Sequence, residues 1–300
     1  MNGVDLAQFQ FDYDMSFGVF FMNADGTIYG RYGTRNERPP EADKDISMEG
    51  LRAAMEASLA LHRGYPDNAD SLKAKRGPEP SYAKPELYPQ MRQYTPTINY
   101  DNQVAKSCIH CHQIHDAERQ ILRDSNQAIA DEILYLYPMP QVVGIELDSK
   151  KRATVTRVES GSPAANAKLK PGDEILSAAG QPLVSVADFQ WVLHNTPGSG
   201  GEIPMKVRRS GQNGDLTLKL APGWRKKTDF GWRVSTWDLR RIALGGAILE
   251  PDGSGGLKVK NVGKYGKHAV AKNAGIRQGD QLVSIAGLSD AKTEAEVIAH

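Results

Sequence analysis

Cysteine is nearly absent from this 300-residue chain: there are two, Cys108 and Cys111, and none is left over for a structural role elsewhere. Charge of one sign is also missing. With 37 Lys+Arg against 36 Asp+Glu and no long basic block, neither nucleic acid nor an anionic membrane surface is implied as a partner. No run approaches the roughly 18–20 apolar residues that span a bilayer, so no membrane span is expected. The opening MNGVDLAQFQ has neither the basic n-region nor the apolar h-region of a signal peptide. There is no G-x-S-x-G nucleophile motif, phosphate loop or pair of catalytic carboxylates, and nothing in the chain marks it as an enzyme.

What is present suggests several domains, because 300 residues exceed what one core usually organises. FGVFFMNADGTIYGRY, residues 17–32, has two aromatic and β-branched runs around Asn23-Ala24-Asp25-Gly26 and reads as a hairpin with Gly26 at the turn. After Pro39-Pro40, SMEGLRAAMEASLALHR places Met48, Leu51, Met55, Leu59 and His62 at helical spacing, with Ser47 as N-cap and Gly64 as stop. Residues 65–102, punctuated by Pro66, Pro78, Pro80, Pro85, Pro89 and Pro96, read as an extended connector with little regular structure. Ile121, Leu122, Ile129, Ile133, Leu134 and Leu136 predict one helix over 116–137, ended by Pro138.

An internal repeat organises the rest. NAKLKPGDEILSAAG, residues 166–180, aligns without gaps on NAGIRQGDQLVSIAG, residues 273–287, so two copies of one unit are present. In the first copy, VVGIEL (142–147), VTRVESGSPAANAKLKPGDEILSAAGQPL (155–183) and SVADFQWVLH (185–194) resemble a PDZ domain of the bacterial, protease-associated type. That resemblance implies a site where the C-terminus or an exposed strand of another protein adds alongside a groove helix. Val143, Gly144 and Ile145 would form the carboxylate loop and strand edge, and Phe189, Val192 and Leu193 would lie along the groove helix. The alternative is that these apolar residues are simply core, and Phe189 and Leu193 taken singly read equally well that way. The second copy, ending in LSDAKTEAEVIAH, lacks residues for its last two strands, so a C-terminal truncation is expected. The stretch 223–241, with three of the four tryptophans, reads as packing between the copies.

The strand, hairpin and helix before the connector resemble the back half of a thioredoxin-like domain. Together with the repeat, the order resembles a bacterial family of thioredoxin-like/PDZ proteins with a cysteine or selenocysteine pair at an N-terminal active site. The resemblance implies that this active site and any export signal lie upstream of Met1.

SCIHCHQIH, residues 107–115, contains C-x-x-C-H, the haem-attachment pattern. On that reading Cys108 and Cys111 carry the thioether bonds of a covalent haem c and His112 is the proximal iron ligand; Met139 is the first candidate for distal ligand, ahead of His62 and His194, and reads equally as a linker residue packing at the PDZ entrance. His115, on the same helical face as His112, cannot reach the far side of the porphyrin. The alternatives are a zinc site using Cys108, Cys111 and His112 or His115, a thiol/disulfide redox pair, or two thiols with no cofactor. Haem attachment implies a periplasmic or otherwise exported protein.

The fold class expected is α+β and multi-domain: a partial thioredoxin-like domain (1–64), a Pro-rich connector (65–102), a cytochrome-c-like segment (103–140), PDZ domain 1 (141–222), a Trp-rich segment (223–241) and a truncated PDZ domain 2 (242–300). The function expected is exported haem-based electron transfer or redox sensing, with PDZ docking of a partner and an unidentified redox partner. The alternative is a PDZ interaction protein without haem, whose thiol-handling domain is completed upstream.

Overall fold

The structure is a computed structural model describing residues 1–15, 17–34, 44–101 and 103–300; Pro39-Pro40 and Asn102 lie outside the described residues. In chain order come β1 (Val19–Met22), β2 (Ile28–Tyr32), α1 (Met48–Arg63), α2 (Ala69–Leu72), α3 (Val104–Ser107), α4 (Gln113–Asp124), α5 (Asp131–Leu134), β3 (Ile145–Leu147), β4 (Val155–Val158), α6 (Pro163–Asn166), β5 (Glu174–Ala178), β6 (Gln181–Pro182), α7 (Val186–His194), β7 (Gly201–Arg209), β8 (Gln212–Leu220), α8 (Val234–Leu244), β9 (Ala247–Pro251), β10 (Leu257–Val262), α9 (Val270–Asn273), β11 (Gln281–Leu282) and α10 (Glu294–Ala299). No helix among the described residues is long and apolar enough to cross a membrane.

The hairpin forms where the sequence places it, with β1 and β2 antiparallel. Asn23 Oδ1 accepts from the Thr27 amide at 3.0 Å and Gly26 takes a φ of 85°, open to glycine at little cost. Helix α1 is capped as expected, the Ser47 side chain accepting from the Gly50 amide, but its apolar stripe faces outward. Met48, Met55 and Leu59 are exposed, while Gly50, Ala54, Ala57 and Ser58 are buried. The helix comes so close to the 148–151 loop that a Cβ on Gly50 would lie 2.0 Å from the Ser149 carbonyl oxygen. Small residues therefore define the inner face.

Two further expectations are revised. The connector has little regular structure, only α2 and 3-10 turns, yet it is no exposed spacer: Leu72, Lys75, Tyr88 and Met91 are buried. The helix expected over 116–137 is two shorter ones, since the chain breaks at Ser125-Asn126, where Asn126 adopts a φ of 52°. Ile129 and Leu134 then enter a core built with α8, β9 and α10.

In the first repeat copy a four-stranded antiparallel sheet, β6-β5-β7-β8, faces the two-stranded β3-β4 ribbon. Val143, Ile145, Ile175, Phe189, Leu193, Ile203 and Leu218 fill the space between them. The second copy repeats these bonds as well as these residues. The Val155 amide donates to the Asp173 carbonyl and the Gly172 amide to the Val155 carbonyl, both at 2.8 Å; the Val259 amide to Asp280 and the Gly279 amide to Val259 repeat this at 2.8 Å. The order β9, β10, α9, β11, α10 matches β3, β4, α6, β5, α7.

Candidate functional site

In the first copy, β3 and α7 are the elements between which the PDZ resemblance would set a peptide. Just before β3, Pro140–Val143 form a 3-10 turn that ends on Gly144 with a φ of 86°. The turn requires glycine twice over, because a Cβ there would also lie 2.1 Å from Ser162 Cβ. Ser162 is itself fixed as N-cap of α6, accepting from the Ala165 amide. The amides of Val142 and Gly144 are bonded within the turn, to the carbonyls of Met139 and Gln141. Ile145 to Leu147 pair with β4, and the other edge of β3 has no strand partner among the described residues.

Helix α7 starts at Ser185, whose side chain accepts from the Ala187 amide at 3.1 Å. Phe189, Val192 and Leu193 point into the core with Val143 and Ile145, all of them 2% exposed or less. The opposite face of α7 is buried too, by polar residues that the apolar pattern does not single out. Asp188 accepts from the amides of Arg31 and Val184 and pairs with Lys75 Nζ. The Trp191 indole donates to the Ala74 carbonyl at 2.9 Å, with the Arg31 guanidinium 3.9 Å from the ring centroid. Gln190 Nε2 donates to the Tyr137 carbonyl at 2.8 Å and to Met139 Sδ at 3.2 Å, and Thr34 Oγ1 lies 3.0 Å from Gln190 Oε1. The N-terminal third of the chain is thus bolted to the outer face of the groove helix.

The cysteine segment sits on a separate core of Leu6, Tyr13, Tyr88, Met91, Ile109 and Ile114. Cys108 and Cys111 are half-buried free thiols, and burial pushes the Cys111 thiol up. His112 Nδ1 is 2.9 Å from Asp116 Oδ2, a hydrogen bond that raises the imidazole above its ordinary range despite partial burial. A cavity of about 770 Å³ lies close by, lined by Tyr13, Tyr88, His115, Glu118, Tyr137 and His194 among others, but not by Cys108, Cys111 or His112. Met139 is held at α7 by Thr34 and Gln190 instead. His112 is turned to Asp116 and Met139 to α7, so the two proposed iron ligands are taken up by different partners.

Residues 141–220 match the family model described as PDZ domain. This part of the chain is similar to a PDZ domain of the HtrA/DegP protease type. The chain is 30% identical over 139 residues to a probable periplasmic serine protease, do/HhoA-like, of Haemophilus influenzae, covering 46% of this chain and 28% of that protein. It is 28% identical over 144 residues to a probable periplasmic serine endoprotease, DegP-like, of Halomonas elongata, covering 46% and 30%. A serine endoprotease structure from Yersinia pestis aligns over 38% of this chain and 36% of that one at 23% identity and a TM-score of 0.27, too low to add to the sequence match. The chain thus spans less than a third of the length of these curated relatives.

The PDZ match overturns the haem expectation. The relatives are serine proteases, a class without covalent haem c, so haem attachment through Cys108, Cys111 and His112, distal ligation by Met139, and electron transfer or redox sensing at such a haem are corrected. C-x-x-C-H is a short pattern, and here its histidine is tied to Asp116 while its second thiol packs on the core of the first segment.

Proposed function

We propose that the PDZ domain docks the C-terminus or an exposed extended segment of a partner protein along the free edge of β3, and that it does so in the periplasm, where the relatives are named as working. The observation that carries this reading is the β3 edge, which is open beside a groove helix in a domain of peptide-binding type. Strand addition supplies backbone hydrogen bonds whatever the sequence of the partner, and side-chain pockets add selectivity. Val143, Gly144 and Ile145 supply the turn and the first edge residue, and Phe189, Val192 and Leu193 shape the groove floor from within the core. Residues 242–300 form a second, PDZ-like copy on this reading, supported by the repeated bonds around Asp173 and Asp280. Of the strand, hairpin and helix behind the thioredoxin-like resemblance of residues 1–64, the described residues hold the hairpin and the helix but no strand before them.

The test is a panel of fluorescently labelled decapeptides with free apolar C-termini, titrated into the full chain and followed by anisotropy. Saturable binding is expected for a subset, weakened about tenfold by C-terminal amidation, the loss of one charge-assisted contact. A panel that shows no saturable binding, or binding indifferent to an unlabelled competitor peptide, would refute the reading.

A further inference from the structure

Away from the groove, Asp12, Asp14 and His115 come together with one ligand atom from each within 4.8 Å of the others, and all three are buried, at 2, 4 and 3% exposure. Asp12 and Asp14 come from the segment before β1 and His115 from the first turn of α4, so the chain converges here from distant positions. Two of their atoms, His115 Nε2 and Asp12 Oδ2, are buried with no hydrogen-bond partner. Buried polar atoms without partners are uncommon because burial strips their water without replacing it. Two in one cluster point to a missing third party.

The surroundings fix what that party is. His115 Nδ1 lies 3.2 Å from Glu118 Oε2. Tyr88 Oη lies 3.1 Å from the other oxygen of that carboxyl, so Glu118 is held from two sides. With Nδ1 paired to a carboxylate, Nε2 is the nitrogen left for the cluster, the carboxylate–histidine arrangement that orients metal ligands. Arg233 Nη1 takes Asp12 Oδ1, leaving Oδ2 free, and also lies 3.5 Å from Asp14 Oδ2. Ser235 fixes Asp14 by its amide to Oδ1 at 2.9 Å and its hydroxyl to Oδ2 at 2.7 Å. Arg119, bonded to Ser235 Oγ at 2.7 Å, is the other nearby guanidinium. Three carboxylates, Asp12, Asp14 and Glu118, thus gather around His115, with Arg119 and Arg233 bonded beside them.

We infer that Asp12, Asp14 and His115 hold a divalent transition-metal ion of the zinc class, bound through His115 Nε2 and the two carboxylates. One imidazole and two carboxylates suit zinc, cobalt, iron or manganese better than magnesium or calcium, which take oxygen alone. Metal–ligand bonds of about 2.0–2.2 Å separate ligand atoms by up to about 4 Å, wider than a direct hydrogen bond. Three protein ligands leave a coordination position open, and His115 also lines the 770 Å³ cavity.

The experiment uses the full chain, stripped with EDTA and titrated with Co2+ by visible absorption and with Zn2+ by calorimetry. One tight equivalent is expected, with d–d bands and no sulfur-to-cobalt charge-transfer band in the near ultraviolet. The Cys108→Ser/Cys111→Ser double variant should bind as the parent does. His115→Gln should abolish binding, and Glu118→Gln, which loses only the orienting carboxylate, should weaken it about 10- to 100-fold. Circular dichroism identifies any variant that fails to fold, and the parent spectrum decides on its own in that case. No binding by the parent, a thiolate charge-transfer band, or binding lost in the cysteine variant would each overturn the inference.

Discussion

Lys75 Nζ lies 2.9 Å from Asp188 Oδ2, and both side chains are wholly buried. The pair ties the segment after α1 to the outer face of the PDZ groove helix, and burial lowers the lysine despite its partner. Its two halves are unequal. Asp188 also accepts from the Arg31 and Val184 amides, whereas Lys75 has, among the described residues, only the aspartate to balance its charge.

Removing the aspartate should therefore cost more than removing the lysine. Asp188→Ala strands a buried ammonium and two backbone amides and should cost about 3–5 kcal/mol. Lys75→Met leaves Asp188 its two amide donors and should cost about 1–2 kcal/mol. Urea unfolding followed by tryptophan fluorescence measures both. Equal losses would show that the pair is not the anchor described.

How much of this was legible in the sequence depended on the kind of signal. The hairpin, the caps of α1 and the PDZ copy were written in turn residues and apolar spacing, which act locally. The covered side of α1 was not, because the close approach to Ser149 selects Gly50, Ala54 and Ala57, which contribute almost nothing to an apolar pattern. Nor was the outer face of α7: Asp188, Gln190 and Lys75 are residue types expected at the surface, and only their distant partners reveal that they are inside. Asp12 and Asp14 were invisible for the same reason, and His115 was visible only as a possible zinc ligand beside the cysteines. The C-x-x-C-H pattern was the opposite case, conspicuous in sequence while the structure ties the ligands it implied to Asp116 and Gln190.

Gly144 offers a test of the loop that would receive a peptide. At a φ of 86° with Ser162 Cβ 2.1 Å from where a Cβ would stand, Gly144→Ala adds left-handed strain of about 1–2 kcal/mol and a clash with the N-cap of α6. A loss of more than about 2 kcal/mol is expected in chemical denaturation, since Ser162 cannot give way without releasing the Ala165 amide. Gly161→Ala is the control: it shares a positive φ, 74°, but nothing lies within 4 Å, so its loss should stay near the strain alone. If the two variants unfold at the same denaturant concentration, the contact with Ser162 is not tight.

Cys111 should behave as a shielded thiol. It is half-buried against the core around Tyr13 and Tyr88, and burial raises its pKa, which reduces the reactive thiolate at neutral pH. With iodoacetamide at pH 7.5 its alkylation, followed by mass spectrometry, should be about tenfold or more slower in the native protein than in guanidinium. Equal rates in the two states would mean that the segment opens freely.

His194 makes stability depend on pH in a defined direction. Its ring is half-buried, stacked on Tyr137 with centroids 3.9 Å apart, and its Nδ1 accepts from the Tyr137 amide at 3.4 Å. Burial, reinforced by the guanidiniums of Arg225, Arg233 and Arg31, holds the imidazole well below its ordinary pKa. Above about pH 6.5 the residue is neutral in both the folded and unfolded chain and contributes no slope. Below it the unfolded chain takes up a proton that the native ring refuses, so stability falls as pH drops toward the native pKa, by up to about 1.4 kcal/mol per unit. His112, raised by Asp116, acts in the opposite sense, so the comparison is between the parent and His194→Gln across pH 7.5 to 5. The difference in unfolding free energy should shift in favour of the variant by about 1–2 kcal/mol over that range. A difference that stays flat would mean that His194 protonates without leaving its stack.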